Sequence, residues 1–254
     1  MRILFLGTGT STGIPTLCCS CAVCQSNDPR NKRLRASVLV QNNGFNFLID
    51  TSTDLRQQCL RHNITRIDGV LYTHHHADHV HGIDELRCFN FFNKNVIPCY
   101  GNELTLAAIK KNFSYIFDGE KPQGGGVPQL DMITLNGDSF ALGGVRVQPV
   151  DIIHGNMIIL GYKINNAAYL TDCSGLPDKA REILSGLDVL VLNALGFEPH
   201  PTHFCLDQAL EAIAELRPKR AILTHINHKF DHETVSRDLP DNVELAYDGL
   251  TVDL

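Results

Sequence analysis

The chain has 254 residues, 43% hydrophobic and 20% charged, with 20 Gly, 11 Pro and no Trp. That supplies a sizeable buried core and excludes collagen-like, coiled-coil and disordered chains. Lys and Arg total 22 against 28 Asp and Glu, a formal net charge of -6. Such a balance argues against a general nucleic-acid binder, which needs a clustered basic excess, but leaves room for a local pocket for a small anion.

Residues 2–6 read as a first buried strand rather than a leader, because the apolar stretch ends in Gly7-Thr8-Gly9-Thr10. After a cysteine-rich segment, strands are predicted at 36–41 and 45–49, a helix at 52–62 and a strand at 68–72. A helix at 81–92, a strand at 96–99 and a helix at 103–112 follow. The segment 119–128, with Pro122, Gly124, Gly125, Gly126 and Pro128, reads as a mobile loop. Strands are then expected at 131–134, 139–150, 157–164 and 167–171, a helix at 177–184 and a strand at 187–192. The helix predicted at 206–216 spaces Leu206, Ala209, Leu210 and Ile213 for one buried face. Strands at 220–224 and 243–246 close the series. No repeat or linker divides the chain, so a single α/β sandwich domain over 1–254 is expected. No apolar run approaches the length of a membrane span. Nine cysteines is an odd number, and Cys59, Cys88, Cys99, Cys173 and Cys205 stand singly. This argues against a disulfide framework and for a reducing, cytoplasmic compartment.

The histidines carry the chemistry. Thr73-His74-His75-His76-Ala77-Asp78-His79 follows the apolar run Val70-Leu71-Tyr72. Residues two apart leave a strand on one face, so His74 and His76 are expected side by side. Imidazoles and carboxylates are the ligand set of zinc and similar borderline metals. Ile152-Ile153-His154, Leu170-Thr171-Asp172 and Ile222-Leu223-Thr224-His225 each end an apolar run in the same way.

This H-x-H-x-D-H pattern, followed by a His, an Asp and a last His, resembles the metallo-β-lactamase superfamily over nearly the whole chain. The opening strand with its glycine turn and Leu48-Ile49-Asp50 look like that fold's beginning. The resemblance implies an αββα sandwich, two mixed sheets between helical layers, with a dinuclear metal site. It assigns His74, His76 and His154 to one metal, Asp78, His79 and His225 to the other, Asp172 as the bridge and Asp50 as a support behind them. Asp172 stands where a Cys would suggest a lactam-cleaving member, which favours the hydrolase and phosphodiesterase branches.

Cys19-Ser20-Cys21-Ala22-Val23-Cys24 is a second constellation. Clustered thiols in a reducing cell hold zinc when a fourth ligand closes the tetrahedron. His228, three residues after His225, is the candidate, with Cys18 as an alternate thiol. The pattern is similar to the PhnP-like phosphodiesterase subgroup, where a C-x-C-x-x-C and the second His of T-H-x-x-H bind a structural zinc. Thr171-Asp172-Cys173-Ser174-Gly175-Leu176-Pro177, Gly161-Tyr162 and Asp248-Gly249 also match that subgroup.

His203, in Pro199-His200-Pro201-Thr202-His203, is favoured over His200 as the histidine facing the metals, because its spacing to His225 matches the family's substrate-contacting His. His62, His75, His81 and His232 are read as surface or supporting residues. Arg30, Lys32, Arg33 and Arg35 form a basic patch, either a solvated run or a rim that draws in anionic substrate through Arg33 and Arg35. Arg87 is equally open.

The resemblance implies hydrolysis of a small or cyclic phosphodiester, a ribosyl cyclic phosphate of phosphonate breakdown being one case. Two metals about 3.5–4 Å apart hold a hydroxide between them and clamp phosphoryl oxygens. Asp78 accepts a hydrogen bond from that hydroxide, and His203 assists the leaving group. The expected cofactors are two catalytic zinc or manganese ions and one structural zinc; the expected partner is a small phosphodiester, with neither membrane nor nucleic acid. The resemblance leans towards a homodimer, to which an exposed Phe89, Phe91 and Phe92 run adds a hint. Alternatives on the same fold are a tRNA 3′-processing endonuclease, which needs a basic surface and a long arm, and a thioester hydrolase. An inactive scaffold would lack ligands that this chain retains.

Overall fold

The computed structural model describes residues 1–119 and 126–254. Fourteen strands are found among them. In chain order they are β1 (Arg2–Gly7), β2 (Ser37–Asn42), β3 (Phe45–Ile49), β4 (Gly69–Leu71), β5 (Ile97–Gly101), β6 (Leu130–Thr134) and β7 (Phe140–Leu142). The second half holds β8 (Val145–His154), β9 (Met157–Ile164), β10 (Ala167–Leu170), β11 (Val189–Asn193), β12 (Arg220–Thr224), β13 (Val243–Leu245) and β14 (Thr251–Asp253). They form two seven-stranded sheets, ordered β14-β1-β2-β3-β4-β5-β6 and β13-β12-β11-β10-β9-β8-β7.

Period-2 alternation sorts the side chains into three cores. Ile3 and Phe5 of β1, Val38 and Val40 of β2, and Phe47 and Ile49 of β3 face the second sheet and meet Val147, Tyr162, Val191 and Ile222. The intervening Leu4, Leu6, Leu39 and Leu48 face outward, under helices Leu55–Arg61, Leu86–Asn93 and Glu103–Asn112. On the other side Leu190, Leu192, Ala221 and Leu223 pack against helices Asp178–Leu184 and Leu206–Leu216. Each fully buried Leu or Ile stabilises the fold by roughly 1.5–3 kcal/mol, so three continuous layers specify the αββα sandwich strongly. This is the expected fold.

Several element boundaries differ from expectation. The strand expected at 139–150 is a hairpin, β7 and β8, turned at Gly143 and Gly144, both at positive φ. A Cβ at Gly143 would lie 2.3 Å from the Phe45 ring, so the turn also needs a glycine there for space. The helix expected at 81–92 begins only at Leu86, after helix Ala77–Val80 and a 3-10 turn over Ile83–Glu85. Most of the loop expected at 119–128 lies outside the described residues.

Topology brings the chemistry to one edge. β3, β4, β5 and β6 run parallel, as do β10, β11, β12 and β13. β8 and β10 share a direction because each is antiparallel to β9. Asp50, His74, His154, Asp172 and His225 therefore emerge together at the carboxyl ends of β3, β4, β8, β10 and β12, where open α/β sheets place their ligands. Asp50, Asp172 and His225 leave their strands at φ 64, 57 and 55. Left-handed backbone at non-glycine residues costs energy and clusters at functional sites.

Candidate functional site

His74, His76 and His154 present ring nitrogens within 4.8 Å of one another, and so do the side-chain atoms of Asp78, His79, Asp172 and His225. The loop after β4 turns at once into helix Ala77–Val80, which lifts Asp78 and His79 beside His74. Asp172 lies between the sets. Its Oδ1 is 3.4 Å from His79 Nε2 and 3.2 Å from His225 Nε2, while its Oδ2 is 3.7 Å from His74 Nε2 and 3.2 Å from His203 Nε2. Asp78 Oδ2 is 3.2 Å from His79 Nε2 and 3.7 Å from His225 Nε2.

The supporting hydrogen bonds fix which nitrogen of each ring is free. Asp50 is fully buried; its Oδ1 accepts from the Thr73 amide at 2.8 Å, and its Oδ2 from the Thr73 hydroxyl at 2.8 Å and His79 Nδ1–H at 2.7 Å. His79 Nε2 is thereby left as a lone pair. With its own proton given to Asp50, the Thr73 hydroxyl accepts from His74 Nδ1–H at 3.0 Å, which frees His74 Nε2. The Thr202 carbonyl takes His154 Nδ1–H at 2.8 Å and frees that ring's Nε2. These are the tautomers that metal-ligating histidines adopt.

A cation fits this arrangement. His74 Nε2 lies 3.0 Å from His76 Nδ1, although His74 has already placed its proton on Nδ1. His79 Nε2 and both ring nitrogens of His225 are buried without a hydrogen-bond partner. Lone pairs and carboxylate oxygens converging in a buried space are costly unless a positive charge sits among them. Burial works to raise the Asp172 pKa; the positive charge that outweighs it and holds the carboxyl well below its usual range comes from His225 and His79 when they carry protons. A cation would supply that charge once those rings serve as lone pairs. Asp78 is likewise held ionised, chiefly by His79 against its own burial.

His203 is half-buried, stacks on the His225 ring with centroids 5.0 Å apart, and faces Asp172. Burial lowers its pKa, opposed by the hydrogen bond to Asp172. Its loop enters helix Leu206–Leu216, which is anchored by Ala209, Ala212, Ile213 and Leu216 and capped by the Cys205 amide donating to Gln208 Oε1 at 3.1 Å.

Away from this edge, Cys19, Cys21 and Cys24 surround His228 Nδ1 with sulfurs at 3.1, 3.8 and 3.5 Å. Four such atoms match the first shell of a tetrahedral zinc. Cys21 precedes and Cys24 lies within the short helix Ala22–Gln25, and His228 follows β12. Cys18 is exposed and outside the group.

The basic patch is different from the expected rim. Arg33 is only 1% exposed; it donates to the Thr8 hydroxyl at 2.8 Å and to the Ala246 carbonyl, and pairs with His232 at 3.0 Å. A guanidinium so enclosed cannot meet a substrate, which corrects the reading of Arg33 as a rim residue. Arg35 is paired with Asp54 at 3.1 Å and donates to the Ser11 carbonyl, and Arg30 is paired with Asp28 and Glu233. Arg87 is paired with Asp84. Among the phenylalanines, Phe91 and Phe92 are exposed but Phe89 is buried, so the expected exposed run is two residues.

Sequence reasoning passed over the threonines. Thr73, Thr171, Thr202 and Thr224 each immediately precede a site residue. Thr171 donates to Asp172 Oδ1 at 2.7 Å, and the Thr202 hydroxyl lies 2.8 Å from His203 Nδ1. The recurring Thr-His and Thr-Asp pairs were a legible signal.

Residues 45–226 match the family model of the beta-lactamase superfamily domain. The chain is 42% identical to a solved structure described as a new diphosphatase from the PhnP family, with TM-score 0.93 over 100% of this chain and 97% of that one. An octanoyltransferase of Porphyromonas gingivalis is 36% identical over 98% of this chain, which spans 51% of that relative's length. A ribonuclease Z of Bacillus subtilis is 24% identical over 100% of this chain and 99% of its own.

Proposed function

The chain belongs to the metallo-β-lactamase superfamily and, within it, to the PhnP family, and on that premise we propose that it hydrolyses a small or cyclic phosphodiester, or a diphosphate, with two divalent metals. The observation that carries this reading is Asp172, whose two oxygens face the two histidine sets separately. His74, His76 and His154 would hold one metal, Asp78, His79 and His225 the other, with Asp172 shared. Zinc or manganese suits such nitrogen and oxygen donors. Bound there, the pair supplies Lewis-acid charge for phosphoryl oxygens and lowers the pKa of water to the neutral range.

The chain's own residues do the rest. Asp50, Thr73 and Thr202 hold the histidines in their ligating tautomers. Asp78 stays ionised and can accept a hydrogen bond from the attacking water. His203, with a proton on Nε2, donates to the oxygen that leaves phosphorus. Cys19, Cys21, Cys24 and His228 would form a clip that holds a structural zinc and ties the N-terminal segment to the chain after β12. We treat residues 1–254 as one domain carrying both sites.

Neutralised arginines around the clip and a net charge of -6 favour a small substrate over an RNA grip, which draws on many phosphate contacts. The test is hydrolysis of bis(p-nitrophenyl) phosphate, a five-membered cyclic phosphodiester, a dialkyl diphosphate, a tRNA precursor and a thioester, each with and without chelator. Chelator-sensitive turnover of a small phosphorus ester is expected. Turnover of the thioester or the tRNA precursor alone would replace the reading.

A further inference from the structure

The two helical layers of the sandwich differ in what they show to solvent. Helices Asp178–Leu184 and Leu206–Leu216, over the second sheet, expose no large apolar side chain. Over the first sheet, Leu60 is 61% exposed, Phe91 65% and Phe92 77%. Helix Leu86–Asn93 stands there as a ridge. Cys88 and Phe92, one turn apart, form its crest, because both line the hollows on its two sides. The first hollow, of about 680 Å³, lies between this helix and helix Leu55–Arg61. Buried Cys59 and Phe89 make its floor, and Leu60 and Ile64 its far wall. The second, of about 690 Å³, opens beside Phe91 and Gln129.

Charge is divided along the same ridge. Asp84 and Glu85 lie at its start, and Lys94 closes its end. Arg66 lines the first hollow near that basic end, where the Asn93 side chain donates to the Thr65 carbonyl at 3.2 Å. Asp84 is paired with Arg87 and Arg66 with Asp68. Among the described residues Glu85 and Lys94 enter no ion pair, and the Lys94 ammonium lies over the Phe91 ring at 4.4 Å. A ligand of one charge would suit one end of this face and be repelled by the other. What fits the whole face is a surface with an apolar crest, an acidic end and a basic end, and the face itself is such a surface.

We propose that this face joins two copies of the chain. Helix Leu86–Asn93 of each copy crosses the other antiparallel about a twofold axis, with the Cys88–Phe92 crest of one seated in the first hollow of the other, ridge into groove. Antiparallel helices set Glu85 against Lys94 of the partner subunit, and the twofold repeats the pair. The Phe91 and Phe92 rings leave roughly 200–350 Å² of surface in water. That is a quarter to nearly half of the roughly 800 Å² that each partner of a stable pair buries, and monomers seldom leave such a patch bare. Leu60 and the apolar stems of Arg56 and Arg66 extend it. The hollow lies at the amino ends of β4 and β5, since Ile64–Arg66 lead into β4 and Phe92 and Asn93 into β5. The opposite edge, with Asp172 and the histidines, stays open in the pair. Pairing is therefore independent of the hydrolytic reading.

The test is the mass in solution, by sedimentation velocity and light scattering over a concentration series. Wild type, Phe92→Glu, Glu85→Lys, Lys94→Glu and the double variant Glu85→Lys with Lys94→Glu are compared. Wild type should run at twice the 28.1 kDa of one chain. Phe92→Glu, at an exposed position, should keep the circular dichroism and Tm of wild type and run as a monomer. Each single charge reversal should weaken the pair at least about 10-fold, and the double reversal should restore it. A wild type still monomeric at about 100 μM, where even a weak specific pair associates, overturns the proposal. So does a dimer that survives Phe92→Glu, or a double reversal no stronger than the single ones.

Discussion

Replacing Asp50 by Asn tests the layer behind the candidate ligands. The carboxylate is fully buried and accepts three hydrogen bonds, from the Thr73 amide, the Thr73 hydroxyl and His79 Nδ1–H. Asn keeps the shape but turns one acceptor into a donor. With its NH₂ at the Oδ2 position, it meets His79 Nδ1–H head-on and drives that ring's proton to Nε2, the nitrogen that faces Asp78 and Asp172. With its NH₂ at the Oδ1 position, it opposes the Thr73 amide. One buried donor is left unpaired either way, at about 1–3 kcal/mol. Partners behind metal ligands are worth about 10–100-fold in affinity, or about 1.4–2.8 kcal/mol. Competition with a metallochromic chelator should show such a loss for Asp50→Asn, with the clip's single metal retained. Affinity within about 2-fold of wild type in a folded variant would refute the tautomer argument.

Arg33→Met should lower stability by about 2–4 kcal/mol in urea denaturation, because it strands the Ala246 carbonyl and Thr8 partners of a buried cation; an unchanged stability with a raised KM would return Arg33 to the substrate rim. Cys21→Ser should lose one equivalent of metal and lower Tm while diester turnover by the remaining folded protein persists. Burial, Arg33 and Arg30 depress the His232 pKa from 6.5 to about 4. As pH falls from 6.5 towards 4, the unfolded chain binds a proton that the folded one refuses, so stability is lost on acidification. His232→Gln should lose less than wild type over that window, and equal slopes would contradict the assignment.

The sandwich was legible because its strands alternate residue by residue. Val38, Leu39 and Val40 can satisfy two cores only in a sheet covered on both faces. The candidate ligands were legible because they follow apolar runs, as one cluster at 74–79 and singly at His154, Asp172 and His225, so local pattern and global position coincide. What stayed hidden depends on distant partners. Arg33 looks like one of four neighbouring cations until Ala246 and His232, more than 190 residues away, enclose it. The hairpin at Gly143 and Gly144 is masked by apolar residues on both sides of the turn. Phe89 differs from Phe91 and Phe92 only in the face of helix Leu86–Asn93 that it occupies. Cys18 stood as an alternate because it adjoins Cys19; it is exposed and the sulfur of Cys19, not of Cys18, joins the group around His228.

Elemental analysis of metal per chain, read beside hydrolysis of bis(p-nitrophenyl) phosphate, tests the central claim most directly. Three metals in wild type and two in Cys21→Ser are expected, both with turnover. Asp172→Ala should keep the clip's zinc and lose turnover, since the carboxylate shared by both histidine sets is gone. A wild-type chain that turns over the diester with one metal in all, or an Asp172→Ala variant that retains activity, would contradict the two-metal account.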